Sequence, residues 1–274
     1  MNFLSKLTML LAILILTSCA NNEEISLIKE INQEAEMVQA YKDGVEALEK
    51  NDTFFAANKF LEAELLYPQS EWASKSSLMA SYAYYIENNY SQAIYNLERF
   101  LKTYPKDKRL DYAYYLMGLC YYENIEGEKR DLKPLIEAKK KFTFVIKNYS
   151  NTDFALDSKF KIGLINDVLA SKEMYLGRHY IKKEKWVAAI NRFKNILNDY
   201  DTTIYAEEAI HRLVEIHYKI GLEGEAKKYA SLLGYNYLSG EWYKKTYSIF
   251  NKEYKEIEIK KEKKSLKEKF KKLF

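Results

Sequence analysis

The chain has 274 residues, only nine glycines and three prolines, and no sustained period-two alternation, which excludes an extensive β-architecture. Its 43 basic and 39 acidic side chains leave a formal charge of +4, so no strong charge excess dominates the molecule. Two cysteines exclude a disulfide framework, and packing must hold the fold; a composition 47% hydrophobic and 15% aromatic supplies the material.

Residues 2–19 resemble a bacterial lipoprotein signal. Lys6 supplies the positive end, and Leu7 to Leu16 is an apolar run too short to cross a bilayer as a permanent helix. Leu16-Thr17-Ser18-Cys19 matches the lipobox, so residues 1–18 are expected to be removed and Cys19 to become the acylated amino terminus. Several acyl chains anchor stably where one is marginal. Ala20, in place of aspartate, favours transport to the outer membrane in the lipoprotein class. No nucleic-acid partner is expected of an exported lipoprotein.

Residues 19–36 are polar and read as a tether. Met37 to Lys50 and Phe54 to Tyr67 form a first helical hairpin, Glu71 to Glu87 and Ser91 to Tyr104 a second. Leu110 to Tyr122 and Leu135 to Tyr149 form a third, separated by an insertion from Glu123 to Pro134 that contains Arg130-Asp131. Asp153 to about Lys182 reads as one long helix or two in line, bent at Gly163 or Gly177, with Trp186 to Tyr200 as its partner. Tyr205 to Lys219 and Glu223 to Leu233 form the fifth hairpin. The tail, 251–274, is distinct: from Lys252 onward it carries ten lysines and five glutamates, with Ile257, Ile259, Leu266, Phe270, Leu273 and Phe274 spaced among them. It reads as a solvated, frayed helix or as a helix for a membrane surface or partner.

A spaced signature runs through these hairpins. Gly44 is followed by Ala56, Phe60, Ala63 and Pro68; with the same gaps come Ser81, Ala93, Leu97, Phe100 and Pro105. Later copies read Gly177, Ala189, Phe193, Ile196 and Val214, Ala226, Ala230, Leu233. This is the tetratricopeptide pattern, a helix–turn–helix unit of about 34 residues. Small residues let the helices of a hairpin approach, Phe60 and its equivalents are expected to fill the gap to the next hairpin, and Pro68 and Pro105 end their helices. The fold class is therefore all-α, a tetratricopeptide-repeat solenoid of five hairpins, with units 1–3 over 37–150 and units 4–5 over 151–250. Such solenoids bind other chains and rarely catalyse.

Chemistry-bearing motifs are absent: no Walker loop, GxGxxG, GxSxG or HExxH. His211 and His217, six apart, fall on opposite sides of a helix and do not suit one metal; His179 stands alone. Cys120 reads as a small buried hydrophobe, and Glu207 and Glu208 as favourable charge at a helix start. No catalytic residue, metal or cofactor is expected, and the protein reads as a non-enzyme. Carrying the repeat register across places Tyr41, Val45, Leu48, Tyr82, Tyr85, Tyr112, Tyr115, Leu119 and Tyr122 on a concave groove suited to an extended peptide, with core filler as the competing role of these tyrosines.

The chain resembles the BamD family of outer-membrane protein assembly factors. The segments that carry the resemblance are Tyr67-Pro68 through Trp72, Ala83-Tyr84-Tyr85, Leu97-Glu98-Arg99-Phe100, Asp111 through Leu119, Arg130-Asp131, Leu169-Ala170 and Trp186 through Phe193. Ser150 and Asp201 stand where that family usually has its unit-ending proline. The resemblance implies a lipoprotein subunit of the β-barrel assembly machine, at the periplasmic face of the outer membrane. Its implied partners are the barrel protein BamA, unfolded outer-membrane β-barrel proteins and, as further candidates, other Bam lipoproteins. It adds Tyr67 to the groove and makes Arg192, next to Phe193, the expected BamA contact, projecting outward from unit 4. The alternative is another periplasmic tetratricopeptide lipoprotein that scaffolds envelope or division proteins.

Overall fold

A computed structural model of the chain describes residues 22–68, 70–123, 132–238 and 240–251, with side chains from residue 33. The signal segment, Cys19, Arg130-Asp131 and the tail from Lys252 lie outside the described residues. Among those described there are eleven helices: α1 (Asn22–Glu49), α2 (Thr53–Leu66), α3 (Glu71–Ile86), α4 (Tyr90–Thr103), α5 (Leu110–Glu123), α6 (Lys133–Asn148), α7 (Asp153–Lys182), α8 (Trp186–Asp199), α9 (Ala206–Lys219), α10 (Glu223–Asn236) and α11 (Glu241–Phe250). The first ten pair into the five expected hairpins, and the fold is an all-α helical repeat.

Two boundaries differ from the sequence reading. The stretch expected to be a tether is helical from Asn22, continuous with the first helix of unit 1. Over 22–36 it carries five glutamates, together with Lys29, Gln33 and Ala35, and lacks Gly and Pro, so a helix nucleated by packing further on propagates backward through it. Among the described side chains, Met37 is the first that is fully buried, in a cluster with Ala40 and Ala63. The second difference is α11, which the signature does not announce.

The turns inside the hairpins share one device. Asn51, Asn88, Glu184 and Gly221 all adopt left-handed φ between 57° and 84°. The next residue then donates its N–H five residues back, as in Asp52 to Ala47 and Asn89 to Tyr84, both at 2.8–2.9 Å. This reversal satisfies carbonyls at the helix end. Between hairpins a hydroxyl does the work. Ser70 Oγ donates to Tyr67 O (2.8 Å), Thr152 Oγ1 to Tyr149 O (2.9 Å) and Thr203 Oγ1 to Tyr200 O (2.7 Å). The threonines following Ser150 and Asp201 thus close the chain where proline is missing.

The chain divides into two compact units, and α7 contributes its first part to one and the rest to the other. In the first, up to Ile162, the signature residues Ala56, Phe60, Ala63, Ala93, Leu97 and Phe100 are all fully buried. Phe60 does more than fill a gap between hairpins: its ring lies across Gly44 of its own hairpin, so close that a Cβ there would sit 2.8 Å from the ring. A polar network ties α2, α3 and α4 together. Glu64, only 5% exposed, accepts from Arg99 Nη1 (2.7 Å) and Tyr104 Oη (2.9 Å), while Arg99 Nη2 also reaches Ser77 Oγ (3.0 Å) and Asn96 Oδ1 (2.8 Å). Asn96 in turn donates to Ser77 O (2.8 Å) and Ser81 Oγ (2.7 Å). Every buried member has a partner, as burial of polar groups demands.

The second unit, from Gly163, packs Ala170, Met174, Ala189, Phe193, Ile196, Ala209, Leu213 and Ile216 together. Gly177 and Phe193 repeat the glycine–aromatic contact, at 2.5 Å for a hypothetical Cβ. Glu208, expected only to favour a helix start, is buried and ion-paired to Arg178 and Arg212. Burial opposes its charge, but the two guanidiniums outweigh it and hold the carboxyl below its ordinary value. Helix α11 docks on α9 and α10: His211 Nδ1 meets Thr246 Oγ1 at 2.7 Å, and the Trp242 ring lies 5.0 Å from the His211 ring. Burial pushes the His211 pKa down to about 4, so the imidazole is neutral at neutral pH.

Candidate functional site

The tyrosines expected to line a groove are all half-buried, and none is freely exposed. In the first unit the starting helix of each hairpin carries them: Tyr41 on α1, Tyr82 and Tyr85 on α3, and Tyr112, Tyr115 and Tyr122 on α5. Tyr82, Tyr85, Tyr112 and Tyr41 border one core cluster. Burial raises the Tyr112 hydroxyl well above the ordinary phenol range, and Tyr82 and Tyr85 are near enough to add to the effect.

Helix α7 completes this surface with residues the sequence reading did not single out. The Phe154 ring lies 5.3 Å from that of Tyr112 and 5.2 Å from that of Tyr115. Tyr115 Oη donates to Asp157 Oδ2 at 2.7 Å, so this hydroxyl is engaged within the fold. Burial, and then this hydrogen bond, raise its pKa. Tyr122 stands edge-on to Phe142 at 6.5 Å, with Lys161 Nζ 4.9 Å from its ring centroid. Tyr67 joins the set indirectly, through the Met37–Ala40–Ala63 cluster that Tyr41 also borders. These side chains are core filler and surface at once, each half-buried.

At Tyr41 the surface runs into a cleft of about 550 Å³, lined by Glu71, Trp72, Lys75, Lys106, Asp107, Lys108 and Arg109. Trp72 meets Tyr41 edge-on at 5.0 Å. Lys75 Nζ sits 4.7 Å from the Tyr41 centroid and 4.8 Å from that of Trp72, a double cation–π contact. The α4–α5 loop forms the opposite wall and is braced. Asp107 Oδ1 accepts from the backbone N–H and Nε of Arg109, both at 2.8 Å, and Arg109 Nη2 donates to Ser74 Oγ at 2.7 Å. The Arg109 guanidinium holds the Asp107 carboxyl well below the usual carboxylate range. Trp72 was visible in the sequence only as part of a resembling segment, and the lysines carried no signal of their own.

In the second unit, Arg192 is engaged within the fold while remaining partly exposed. Its guanidinium does not project unengaged: Nη1 donates to Glu173 Oε1 (3.1 Å) and Oε2 (3.3 Å), and Asn195 Nδ2 shares the same carboxylate at 3.0 Å. Phe193, its neighbour, is fully buried as expected. The arginine side chain keeps 36% of its surface exposed, so the pair sits at the solvent edge of α7 and α8. The buried histidines are engaged separately, His211 with Thr246 and His217 Nδ1 with Leu213 O at 2.7 Å. Burial pushes the Cys120 thiol up to about 12, which makes it unreactive. Among the described residues no His, Cys, Asp and Glu group is arranged to hold a metal, and no helix is long and apolar enough to cross a membrane.

Repeated hairpins locked by small-residue and aromatic contacts, with a half-exposed tyrosine face, define a helical-repeat protein of the kind that binds other chains. The model of the family described as YfiO, outer membrane lipoprotein, matches residues 33–232, and the chain belongs to that family. It is 39% identical over 211 residues to the outer membrane protein assembly factor BamD of Caulobacter vibrioides, covering 77% of this chain and 69% of that one. Over 215 residues it is 39% identical to the BamD of Rickettsia prowazekii, covering 78% and 86% of the two chains. The BamD of Neisseria gonorrhoeae is 28% identical over 216 residues, covering 75% and 80%.

Proposed function

We propose that this protein is a BamD-type subunit of the outer-membrane β-barrel assembly machine, a non-enzymatic lipoprotein held at the periplasmic face of the outer membrane through acylated Cys19. The observation that carries this reading is the family match from residue 33 to 232, which spans both compact units rather than a single repeat. The first unit holds unfolded barrel segments along its tyrosine face. Ring faces receive the apolar side chains of an extended segment, and the uncommitted tyrosine hydroxyls meet its backbone. The second unit docks on BamA near the Glu173–Arg192–Asn195 cluster. Arg192 has donors beyond the one Glu173 takes, and a guanidinium can serve a second carboxylate.

The test is co-purification of the tagged mature chain from detergent extracts. BamA is expected in stoichiometric amount with the wild type. Arg192→Ala is expected to weaken that association while costing about 0–1 kcal/mol of stability, because its ion pair is partly exposed. Cys19→Ser is expected to leave the protein in the soluble periplasmic fraction. A wild-type chain that brings down envelope or division proteins and no BamA would refute the assignment; undiminished BamA binding by Arg192→Ala would refute the docking site alone.

A further inference from the structure

Helix α11 closes the second unit with one face in and one face out. Its inner face meets α9: Trp242 lies against His211, Thr246 bonds to it, and the Phe250 ring stands 5.5 Å from that of Tyr218. Its outer face carries Glu241, Lys244, Lys245 and Ser248, all exposed. That is the polar outer face of a capping element, and it offers little apolar bed for a further helix. At Asn251 the backbone leaves the helix, with φ −117° and ψ 89°. The chain beyond lies outside the described residues, and its sequence is of another kind.

From Ile259 to Phe274 there are eight lysines against two glutamates, with no glycine or proline. The apolar residues of this stretch are Ile259, Leu266, Phe270, Leu273 and Phe274. Wound at about 100° per residue, the five fall within about 100° of arc, and every lysine but Lys263 falls outside it. An apolar stripe holding two phenylalanines, with lysine on both sides, is the pattern of a segment that lies in a membrane interface. Long lysine stems run past the stripe and bring their ammonium groups to the headgroups. Docking back on the second unit is disfavoured: residues 163–251 already carry 13 basic and 11 acidic side chains and provide no negative field for it.

We infer that residues 259–274 are a second membrane-binding element, an amphipathic helix that lies on a phospholipid surface with acidic headgroups. Its apolar stripe enters the acyl boundary, and its lysines pair with the headgroup phosphates. The two ends of the chain then hold it to lipid by different means: acyl chains at one, a reversible and salt-sensitive helix at the other. With the first end tethered, the second meets the surface at high effective concentration. This goes beyond the BamD-type reading and takes from it only the setting of a lipid-anchored chain.

The experiment uses the full mature chain carrying Cys19→Ser, so that no acyl group contributes, and sedimentation with sucrose-loaded vesicles. One set is phosphatidylethanolamine with phosphatidylglycerol, the other phosphatidylcholine alone. The chain is expected to partition about tenfold or more in favour of the acidic set and to come off it in high salt. Phe270→Ser with Leu273→Ser, and separately Lys267→Gln, Lys269→Gln, Lys271→Gln and Lys272→Gln combined, are each expected to cut that partitioning about fivefold or more, with thermal unfolding unchanged. Equal partitioning onto the two sets would overturn the acidic-lipid assignment. No partitioning onto either would overturn the membrane element and turn the tail toward an acidic protein surface. Acidic-vesicle binding undiminished in both variants would place the lipid contact outside the tail and overturn the proposal as well. None of these results bears on BamA binding, so the two readings fail separately.

Discussion

Phe193→Ala is expected to destabilise the protein by about 3–5 kcal/mol, because a fully buried ring is lost from the centre of the second unit and the helices around it collapse only partly. Its partner Gly177 yields a sharper test of the same contact. Alanine in a helix is ordinarily better than glycine by about 0.5–1 kcal/mol. At Gly177 a Cβ would meet the Phe193 ring at 2.5 Å, whereas at Gly163, on the same helix, it would meet nothing within 4 Å. Gly163→Ala is therefore expected to stabilise and Gly177→Ala to destabilise, the latter by about 1–3 kcal/mol of overpacking. Urea unfolding of the two variants decides it; the same sign for both would show that the ring does not press on Gly177.

Glu64→Ala is expected to cost about 3 kcal/mol, near the lower end of the range for breaking a buried ion pair, because Arg99 retains 35% side-chain exposure and can still reach water. The loss comes less from the pair's attraction than from what remains: a guanidinium held by Ser77 and Asn96 without its carboxylate, and a Tyr104 hydroxyl without its acceptor. Replacing both partners together, Glu64→Leu with Arg99→Met, is expected to recover most of the loss. If the double variant is no more stable than Glu64→Ala, the pair contributes net stability beyond the relief of a stranded charge. The segment Leu97-Glu98-Arg99-Phe100, which carries part of the family resemblance, thus acts inside the fold, where Leu97 and Phe100 fill the core and Arg99 ties three helices.

What was legible in the sequence was whatever recurs because helix contacts recur. The small residue at Gly44, the alanine at Ala56 and the large residue at Phe60 are set by one geometry repeated along the chain, and the structure buries them as the spacing requires. Helix α11 was not announced because it lies past the last copy of the repeat signature, although Trp242, Thr246 and Phe250 stand one turn apart and meet His211 and Tyr218 of α9. The helical start at Asn22 was hidden for the reverse reason: a polar composition signals exposure, and exposure does not forbid helix. The turns at Asn51 and Asn88 carried a usable signal, since asparagine tolerates left-handed backbone, but Glu184 in the same role did not.

The surfaces proposed for binding were legible in kind and less so in detail. Tyrosines at helical spacing marked the face, while the groups that engage them lie far off in the chain: Asp157 is 42 residues from Tyr115, and Glu173 is 19 from Arg192. Pairings of that sort are decided by which helices pack side by side, and no local pattern encodes them. The cleft was less visible still, because single lysines in Lys75, Lys106 and Lys108 look like ordinary solvated charge until the fold gathers them around Trp72.

The central claim, that this chain serves β-barrel assembly, is tested most directly by depleting it in the living cell and measuring folded barrel proteins in the outer membrane by their heat-modifiable mobility. A broad fall in folded barrels is expected, restored by the wild-type chain, while the amounts of other outer-membrane lipoproteins hold. Unchanged folded barrels after full depletion would contradict it.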